Sequence, residues 1–187
     1  LISKVLLAIP GNSAVFFPSY ELMASIKGRV STDKNLLVEK QGMSKSEKSD
    51  LLYRLQLLSG QGAVLYGVIG GSFSEGIDYP GNILKAVVVV GVPLEKPTLE
   101  VNRLVEYFQK KFSRGWEYAY SFPAVNKAVQ AAGRPIRSSE DRAIAIYLDK
   151  RYLWDNYRKC FPRKLNLVVS PDPSALINKF FEKRPFL

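Results

Sequence analysis

The chain has 187 residues, with 27 Lys+Arg, 17 Asp+Glu, no His and a single Cys. This length can bury a substantial core, and 24% charged with 12% aromatic residues excludes an intrinsically disordered chain. One Cys excludes an internal disulfide and a metal centre built from several thiolates, and the lack of His excludes mechanisms that need a histidine base. Carboxylates, Lys, Arg, hydroxyls and backbone amides remain for chemistry.

The net charge of +10 is unevenly distributed along the chain. Residues 1–100 carry 10 basic and 9 acidic side chains, whereas residues 101–187 carry 17 and 8, a net charge of +9. Such an excess favours a polyanionic partner for the C-terminal half. A basic surface that only faces solvent is an equally good interpretation of the charge alone.

Short apolar runs alternate with amphipathic segments from one end of the chain to the other. Continuous apolar runs indicate buried parallel strands, and apolar side chains at helical spacing indicate helices that cover them. The predicted strands are residues 14–17, 36–38, 63–69, 84–92, 143–148 and 165–169. The predicted helices are residues 20–26, 44–59 (with Ser44 or Ser46 as N-cap), 97–112, 123–134, 151–160 and 174–183. The pattern predicts an α/β fold with a parallel sheet of about six strands and helices on both faces.

Residues 1–187 are expected to form a single domain, since no segment is long enough to be a linker. No run approaches the roughly 18 to 20 apolar residues of a membrane span, so we expect no membrane partner. The sequence begins at Leu1 without an initiator Met, and we expect it to be part of a longer chain.

In parallel sheets, ligands bind beyond the carboxyl ends of the strands. Four predicted loops lie there: residues 18–20, 70–81, 91–93 and 149–151. The glycine-rich loop (residues 70–81) contains four glycines, two carboxylates and two serines, and glycine lets a backbone approach a ligand closely. It matches neither the P-loop nor the dinucleotide fingerprint. A tight connection that needs glycines for its own turns is the alternative interpretation.

Gln130, Arg134 and Arg137 would share one face of a continuous helix because they are spaced i, i+4 and i+7. Paired guanidinium groups suit phosphate, to which each presents a fixed fork of donors. A solvated basic helix end is the alternative. Pro135 biases Arg134 away from the helical conformation, so we expect the helix to end or kink there.

Three segments, in this order, resemble the XPD/DinG branch of superfamily 2 DNA helicases. Residues 16–20 (Phe-Phe-Pro-Ser-Tyr) resemble helicase motif IV. Residues 71–79 (Gly-Ser-Phe-Ser-Glu-Gly-Ile-Asp-Tyr) resemble motif V, and residues 130–137 (Gln-Ala-Ala-Gly-Arg-Pro-Ile-Arg) resemble motif VI. The resemblance covers nearly the whole chain, is strongest to archaeal XPD, and implies the second RecA-like motor domain of such a helicase.

The resemblance implies a role for each matching residue. The motif VI residues Arg134 and Arg137 would be arginine fingers on the γ-phosphate of ATP, with Gln130 lining the same cleft. The motif V residues Gly76 and Asp78 would lie on the nucleotide side.

For the DNA side, the resemblance implies that the motif V residues Ser74 and Glu75 lie near the DNA path. In motif IV, Ser19 and Tyr20 would contact the backbone of the single strand, with Tyr20 stacking or packing against it. No residue of the chain is predicted to bind a metal ion.

The resemblance further implies a parent protein that is a 5′ to 3′ ATP-dependent DNA helicase of DNA repair. ATP and Mg²⁺ would be shared with a first motor domain that also carries a 4Fe–4S cluster. The partners would be single-stranded DNA and that first domain. This chain alone would be a monomer without ATPase activity, and the protein would be cytoplasmic in a prokaryote or nuclear in a eukaryote.

A RecA-like module that binds single-stranded DNA or a partner protein, without a motor role, is the alternative function. A nucleotide-dependent metabolic enzyme is disfavoured because the chain has neither a phosphate loop nor a histidine base.

Overall fold

The computed structural model describes residues 1–136 and 141–182. Its centre is a five-stranded, entirely parallel sheet with the strand order β2-β3-β1-β4-β5. The strands are β1 (Ser13–Phe17), β2 (Asn35–Val38), β3 (Ala63–Val68), β4 (Ala86–Val90) and β5 (Ile144–Leu148). Every residue of β1, β3 and β4 is buried, as their continuous apolar runs predict. The predicted α/β fold with a parallel sheet is confirmed.

Helices cover both faces of the sheet. They are α1 (Ile2–Ala8), α2 (Tyr20–Lys27), α3 (Lys45–Leu57), α4 (Leu99–Phe112), α5 (Phe122–Ala132), α6 (Asp155–Arg158) and α7 (Ser174–Glu182). One core cluster joins the sheet to α3 and α5, and a second joins its other face to α1, α2 and α7. None of the helices in the described ranges is long and apolar enough to cross a membrane.

Local sequence signals fix several of these boundaries. Ser44 is the N-cap of α3: its hydroxyl accepts from the Glu47 N–H at 3.2 Å, and its own N–H donates to the Glu47 carboxylate at 2.7 Å. At the opposite end of the sheet from the predicted ligand loops, the buried Asn12 side chain donates to the Leu55 carbonyl at 2.6 Å and accepts from the Ala63 N–H at 2.8 Å. This amide ties α3 and β3 to the start of β1.

The predicted sixth strand, residues 165–169, does not form, so the sheet has five strands rather than six. The Leu165 N–H donates to the Pro162 carbonyl at 3.0 Å and closes a turn where that strand would begin. Leu165, Val168 and Val169 remain 42%, 68% and 56% exposed. β-Propensity without a neighbouring strand to pair with is not sufficient to make a strand.

The predicted helix over residues 151–160 is also wrong. The chain instead forms a 3₁₀ turn, Lys150–Leu153, and the short helix α6, separated by Trp154 in an extended conformation. Asp149 caps the 3₁₀ turn, since its carboxylate accepts from the Arg151 N–H at 2.8 Å. The capped turn positions Tyr152 inward, where it is 6% exposed.

The amphipathic pattern of α4 does not translate into burial within this chain. Val101 is its one buried residue, whereas Leu104 and Phe112 are 47% and 48% exposed. Its aromatic side chains pack on the π-helical turn Glu117–Ser121, where Phe108 and Tyr118 have ring centroids 5.6 Å apart. The helix α1 has no counterpart in the sequence-based prediction.

Candidate nucleotide and nucleic-acid site

The loops that follow β1, β4 and β5 meet at the carboxyl edge of the sheet. Gly91, directly after β4, has φ +74°, a conformation that favours glycine. A Cβ atom at this position would lie 3.4 Å from Pro18 and 4.0 Å from the Asp149 carboxylate. The Tyr152 hydroxyl donates to the Gly91 carbonyl at 2.8 Å. The predicted clustering of these loops is therefore observed.

Motif V folds into a π-helical turn, Ser72–Gly76, directly beyond β3. Ser74 is fully buried, and its hydroxyl accepts from the Gly70 N–H at 2.9 Å and donates to the Gly71 carbonyl at 3.1 Å. The buried Tyr79 hydroxyl donates to the Phe73 carbonyl at 2.6 Å. Burial raises the pKa of Tyr79, so this donor stays protonated. These bonds hold the turn in one shape.

Arg134 of motif VI binds this turn directly. Its Nε donates to the Ser74 carbonyl at 3.0 Å, and its Nη2 donates to the Glu75 carbonyl. The side chain is half-buried, and the guanidinium group carries five N–H donors in all, so others remain for a ligand. The two motifs that the sequence places about sixty residues apart are one structural unit.

The helix α5 ends at Ala132, two residues before Arg134. The Gly133 N–H donates to the Val129 carbonyl at 2.9 Å and closes the last turn, and Pro135 is buried beyond it. The expected helix end near Pro135 is confirmed, and a continuous helical face for the motif VI residues is not formed. Gln130 lies exposed in the last turn of α5, and Arg137 lies outside the described residues.

Motif IV sits at the start of α2. Ser19 is the N-cap, and its hydroxyl accepts from the Leu22 N–H at 3.2 Å, which leaves its proton for another acceptor. Tyr20 is half-buried, and its pKa is raised first by burial and then by the charge of Glu39 and a hydrogen bond with that carboxylate. Motif IV therefore lies near Glu39, a residue that the sequence analysis did not identify.

Glu39 is the site residue that sequence analysis missed. It is 2% exposed, and its carboxylate accepts from the Val68 N–H at 3.1 Å and from the Ser72 N–H at 2.8 Å. The available signal was a single carboxylate directly after the apolar strand β2, at the ligand-binding edge of the sheet.

Asp149 and Arg151 form an ion pair at the same edge, with Oδ2 and Nη2 2.7 Å apart. Burial alone would raise the pKa of Asp149, but hydrogen bonds from the Arg151 side chain and N–H hold it below its ordinary value. The hydrogen bond with Asp149 in turn raises the pKa of Arg151. The Arg151 guanidinium thus donates to the Asp149 carboxylate through Nε and Nη2 and fixes this carboxylate at the edge of the sheet.

The remaining predicted residues of motif V face outward. Glu75, Gly76 and Asp78 are exposed, and a Cβ atom at Gly76 would meet nothing within 4 Å. Ser74 differs because its hydroxyl is enclosed by the loop.

In the part of the chain that the structure describes, no three His, Cys, Asp or Glu side chains are grouped closely enough to hold a metal ion.

Comparison with known proteins identifies the family. Residues 2–167 match the helicase C-terminal domain family. The chain is 30% identical to the XPD helicase subunit of general transcription and DNA repair factor IIH from Dictyostelium discoideum, over 97% of this chain and 26% of that protein. It is 31% identical to the ATP-dependent DNA helicase XPD from Sulfolobus acidocaldarius, over 84% and 28% of the two chains. The chain thus spans about a quarter of the length of these relatives.

Solved structures agree with this assignment. A structure of an XPD helicase superposes with a TM-score of 0.67 at 28% identity, covering 84% of this chain and 28% of the other. A structure of apo XPD gives a TM-score of 0.65 at 29% identity, covering 84% and 32%. The chain belongs to the helicase C-terminal domain family, as an XPD-type second motor domain of superfamily 2.

Proposed function

We propose that this chain acts as the second motor half of an ATP-dependent, 5′ to 3′ DNA helicase that works in DNA repair. The observation that carries the proposal is the direct contact between motif VI and motif V, in which the Arg134 guanidinium donates hydrogen bonds to the Ser74 and Glu75 carbonyls. A motor must connect its nucleotide cleft to its DNA path. This contact supplies such a connection between the segments assigned to the two sides.

On the nucleotide side, the described residues fit a phosphate group. Gly76 is exposed, and a Cβ atom there would meet nothing within 4 Å, so a ligand can approach the backbone. Arg134 keeps guanidinium N–H donors beyond those used by the loop, and Gln130 is exposed nearby in the chain. Arg137 is assigned the role of arginine finger, with Asp78 beside Gly76 on the nucleotide side. A first motor domain would hold ATP and Mg²⁺ and would carry the 4Fe–4S cluster.

On the DNA side, Ser19 and Glu75 are exposed, and Tyr20 is half-buried at the start of α2. The Ser19 hydroxyl can donate to a phosphate oxygen while it caps the helix. The Ser74 hydroxyl is hydrogen-bonded to Gly70 and Gly71 within the loop. Its contribution is therefore to fix the shape of the backbone that would lie beside the DNA strand. The partners are single-stranded DNA and the first motor domain, in an intracellular protein.

The test separates the two sides in a full-length protein that contains this chain. Arg137→Ala should lower DNA-stimulated ATP hydrolysis by about 10³-fold or more, the range of arginine fingers, with strand affinity without nucleotide nearly unchanged. Tyr20→Ala should weaken strand affinity by roughly 1 to 3 kcal/mol, as loss of a stacking aromatic does, and retain basal hydrolysis.

The exposed Arg103, which is paired with Glu106 on the outer helix α4, supplies a control. Arg103→Ala should change neither assay. This chain alone should hydrolyse no ATP above background. Equal losses in both assays from Arg137→Ala, in a folded protein, would refute the assignment of that arginine. Strand binding without any ATP hydrolysis by the wild-type full-length protein would favour the non-motor binding module.

A further inference from the structure

The Glu39 carboxylate occupies the space that the missing side chains of Gly67 and Gly71 leave free. A Cβ atom at Gly67 would come within 2.8 Å of its carboxylate, and a Cβ atom at Gly71 would come within 2.8 Å of both carboxylate oxygens. A Cβ atom at Gly71 would also lie 2.8 Å from the Val68 carbonyl, and one at Gly67 would lie 3.0 Å from the Phe16 ring. Contacts as short as 2.8 Å essentially never occur for real Cβ atoms, so a side chain at either position would crowd the Glu39 carboxylate together with these neighbours.

The carboxylate connects three separate segments of the chain. Its two oxygens accept from the Val68 N–H at the end of β3 and from the Ser72 N–H at the start of the π-helical turn. The Glu39 N–H donates to the Tyr66 carbonyl at 2.8 Å, which fixes the residue to β3. Tyr20 of motif IV packs against the core cluster that contains Tyr66, and burial, followed by the charge of Glu39, raises the pKa of its hydroxyl.

The turn that Glu39 holds on β3 carries Ser74 and Glu75, which are assigned to the DNA path, and Gly76, which is assigned to the nucleotide side. The π-helical turn that begins at Ser72 also carries the two carbonyls that accept hydrogen bonds from Arg134. A displaced Ser72 would displace these carbonyls, because Ser72 and Glu75 lie within one turn. Hydrogen bonds that a carboxylate accepts from backbone N–H groups are among the stronger ones in proteins, which suits a residue that holds a turn on a strand.

We propose that Glu39 is a positioning residue that holds the π-helical turn of motif V in register with the end of β3. This inference rests on the proposed function for its consequence, namely that contact with the DNA strand is transmitted to the turn. The link between Glu39 and the turn does not depend on the proposed function. The residue belongs to none of the three motifs.

The linkage is tested by amide hydrogen exchange of a full-length protein that contains this chain. Glu39→Gln keeps the side-chain volume but places an N–H₂ group against a backbone donor. It should speed exchange at Ser72 by about tenfold or more, the effect of losing a hydrogen bond to a charged group.

Glu21→Gln is the matched control, since Glu21 is an exposed carboxylate in the first turn of α2. It should leave exchange at Ser72 unchanged. Exchange that rises equally at Ser72 and at Ala63, at the far end of β3, would mean that Glu39 supports the fold in general, and would overturn the proposal.

A second arm adds an unstructured single-stranded DNA oligonucleotide. Binding should slow exchange over residues 70–76 in the wild type, and this slowing should be lost in Glu39→Gln although the oligonucleotide still binds. Slowing that persists in Glu39→Gln would refute the transmission of strand contact. A wild-type protein that does not bind the oligonucleotide would refute the proposed function, and the first arm would still decide the linkage.

Discussion

Removal of the Arg134 guanidinium tests the contact on which the proposed function depends. Arg134→Ala deletes one donor to the Ser74 carbonyl and one donor to the Glu75 carbonyl. Bonds that involve a charged group contribute about 1.5 to 3 kcal/mol each to stability, and exposure reduces that figure. Because the side chain is half-buried, we expect Arg134→Ala to lower the free energy of unfolding by about 2 to 3 kcal/mol.

Urea unfolding of this chain measures the loss. With an m value of about 2 kcal/mol per molar for a chain of this size, the midpoint should fall by roughly 1 M. Arg134→Lys should recover only part of the loss, since one ammonium group does not reproduce the planar fork of donors. The control Arg103→Ala removes a guanidinium that is 72% exposed, and should cost at most about 0.5 kcal/mol.

The same variant distinguishes two roles for this arginine. If Arg134 contacted only phosphate, its replacement would leave the unfolding midpoint of the nucleotide-free chain unchanged. An Arg134→Ala midpoint equal to that of Arg103→Ala would therefore refute the loop contact, and with it the connection between motifs V and VI.

Two further predictions concern the ion pair and the basic half of the chain. Asp149→Asn should lower the free energy of unfolding by about 1 kcal/mol or less at pH 7, because the pair is partly screened by solvent. The pKa of Asp149 is depressed in the folded chain, so its stabilisation is present above the unfolded value of about 3.9 and is lost as pH falls through the folded value. The difference between wild type and variant should therefore decrease as pH falls below about 3.9, and a difference that is the same at about pH 3 as at pH 7 would contradict the assignment. Single-stranded DNA should bind this chain with micromolar or weaker affinity and a log–log salt slope of roughly −1.5 to −3, at about −0.7 per phosphate. Affinity that does not depend on salt would mean that the basic half faces another partner.

Sequence patterns predicted those features that depend on neighbours along the chain. The continuous apolar runs of β1, β3 and β4 identified buried parallel strands, because only strands covered on both faces can be apolar at every position. The sequence also predicted that a helix begins at Ser44 and that another ends near Pro135, because helix capping and proline geometry depend on local residues. The order of strands and helices was sufficient to place the candidate loops at one edge of the sheet.

The same patterns were misleading where burial had to be assumed. Val168 and Val169 have strand propensity, but the turn at Leu165 and the lack of a neighbouring strand leave them exposed. The apolar stripe of α4 predicted a packed helix, yet Leu104 and Phe112 lie largely open in this chain. Periodicity shows which side chains share a face and does not show what covers that face.

Only the tertiary structure decided which residues of the candidate site act together. Glu39 contacts Ser72 across 33 positions of sequence, and Arg134 contacts Ser74 across 60. Both contacts exist because the sheet order places β2 beside β3 and brings α5 against the π-helical turn beyond β3. A carboxylate after a strand has no distinguishing local pattern, and its role arises from the two backbone N–H groups and the two glycines that the fold places around it.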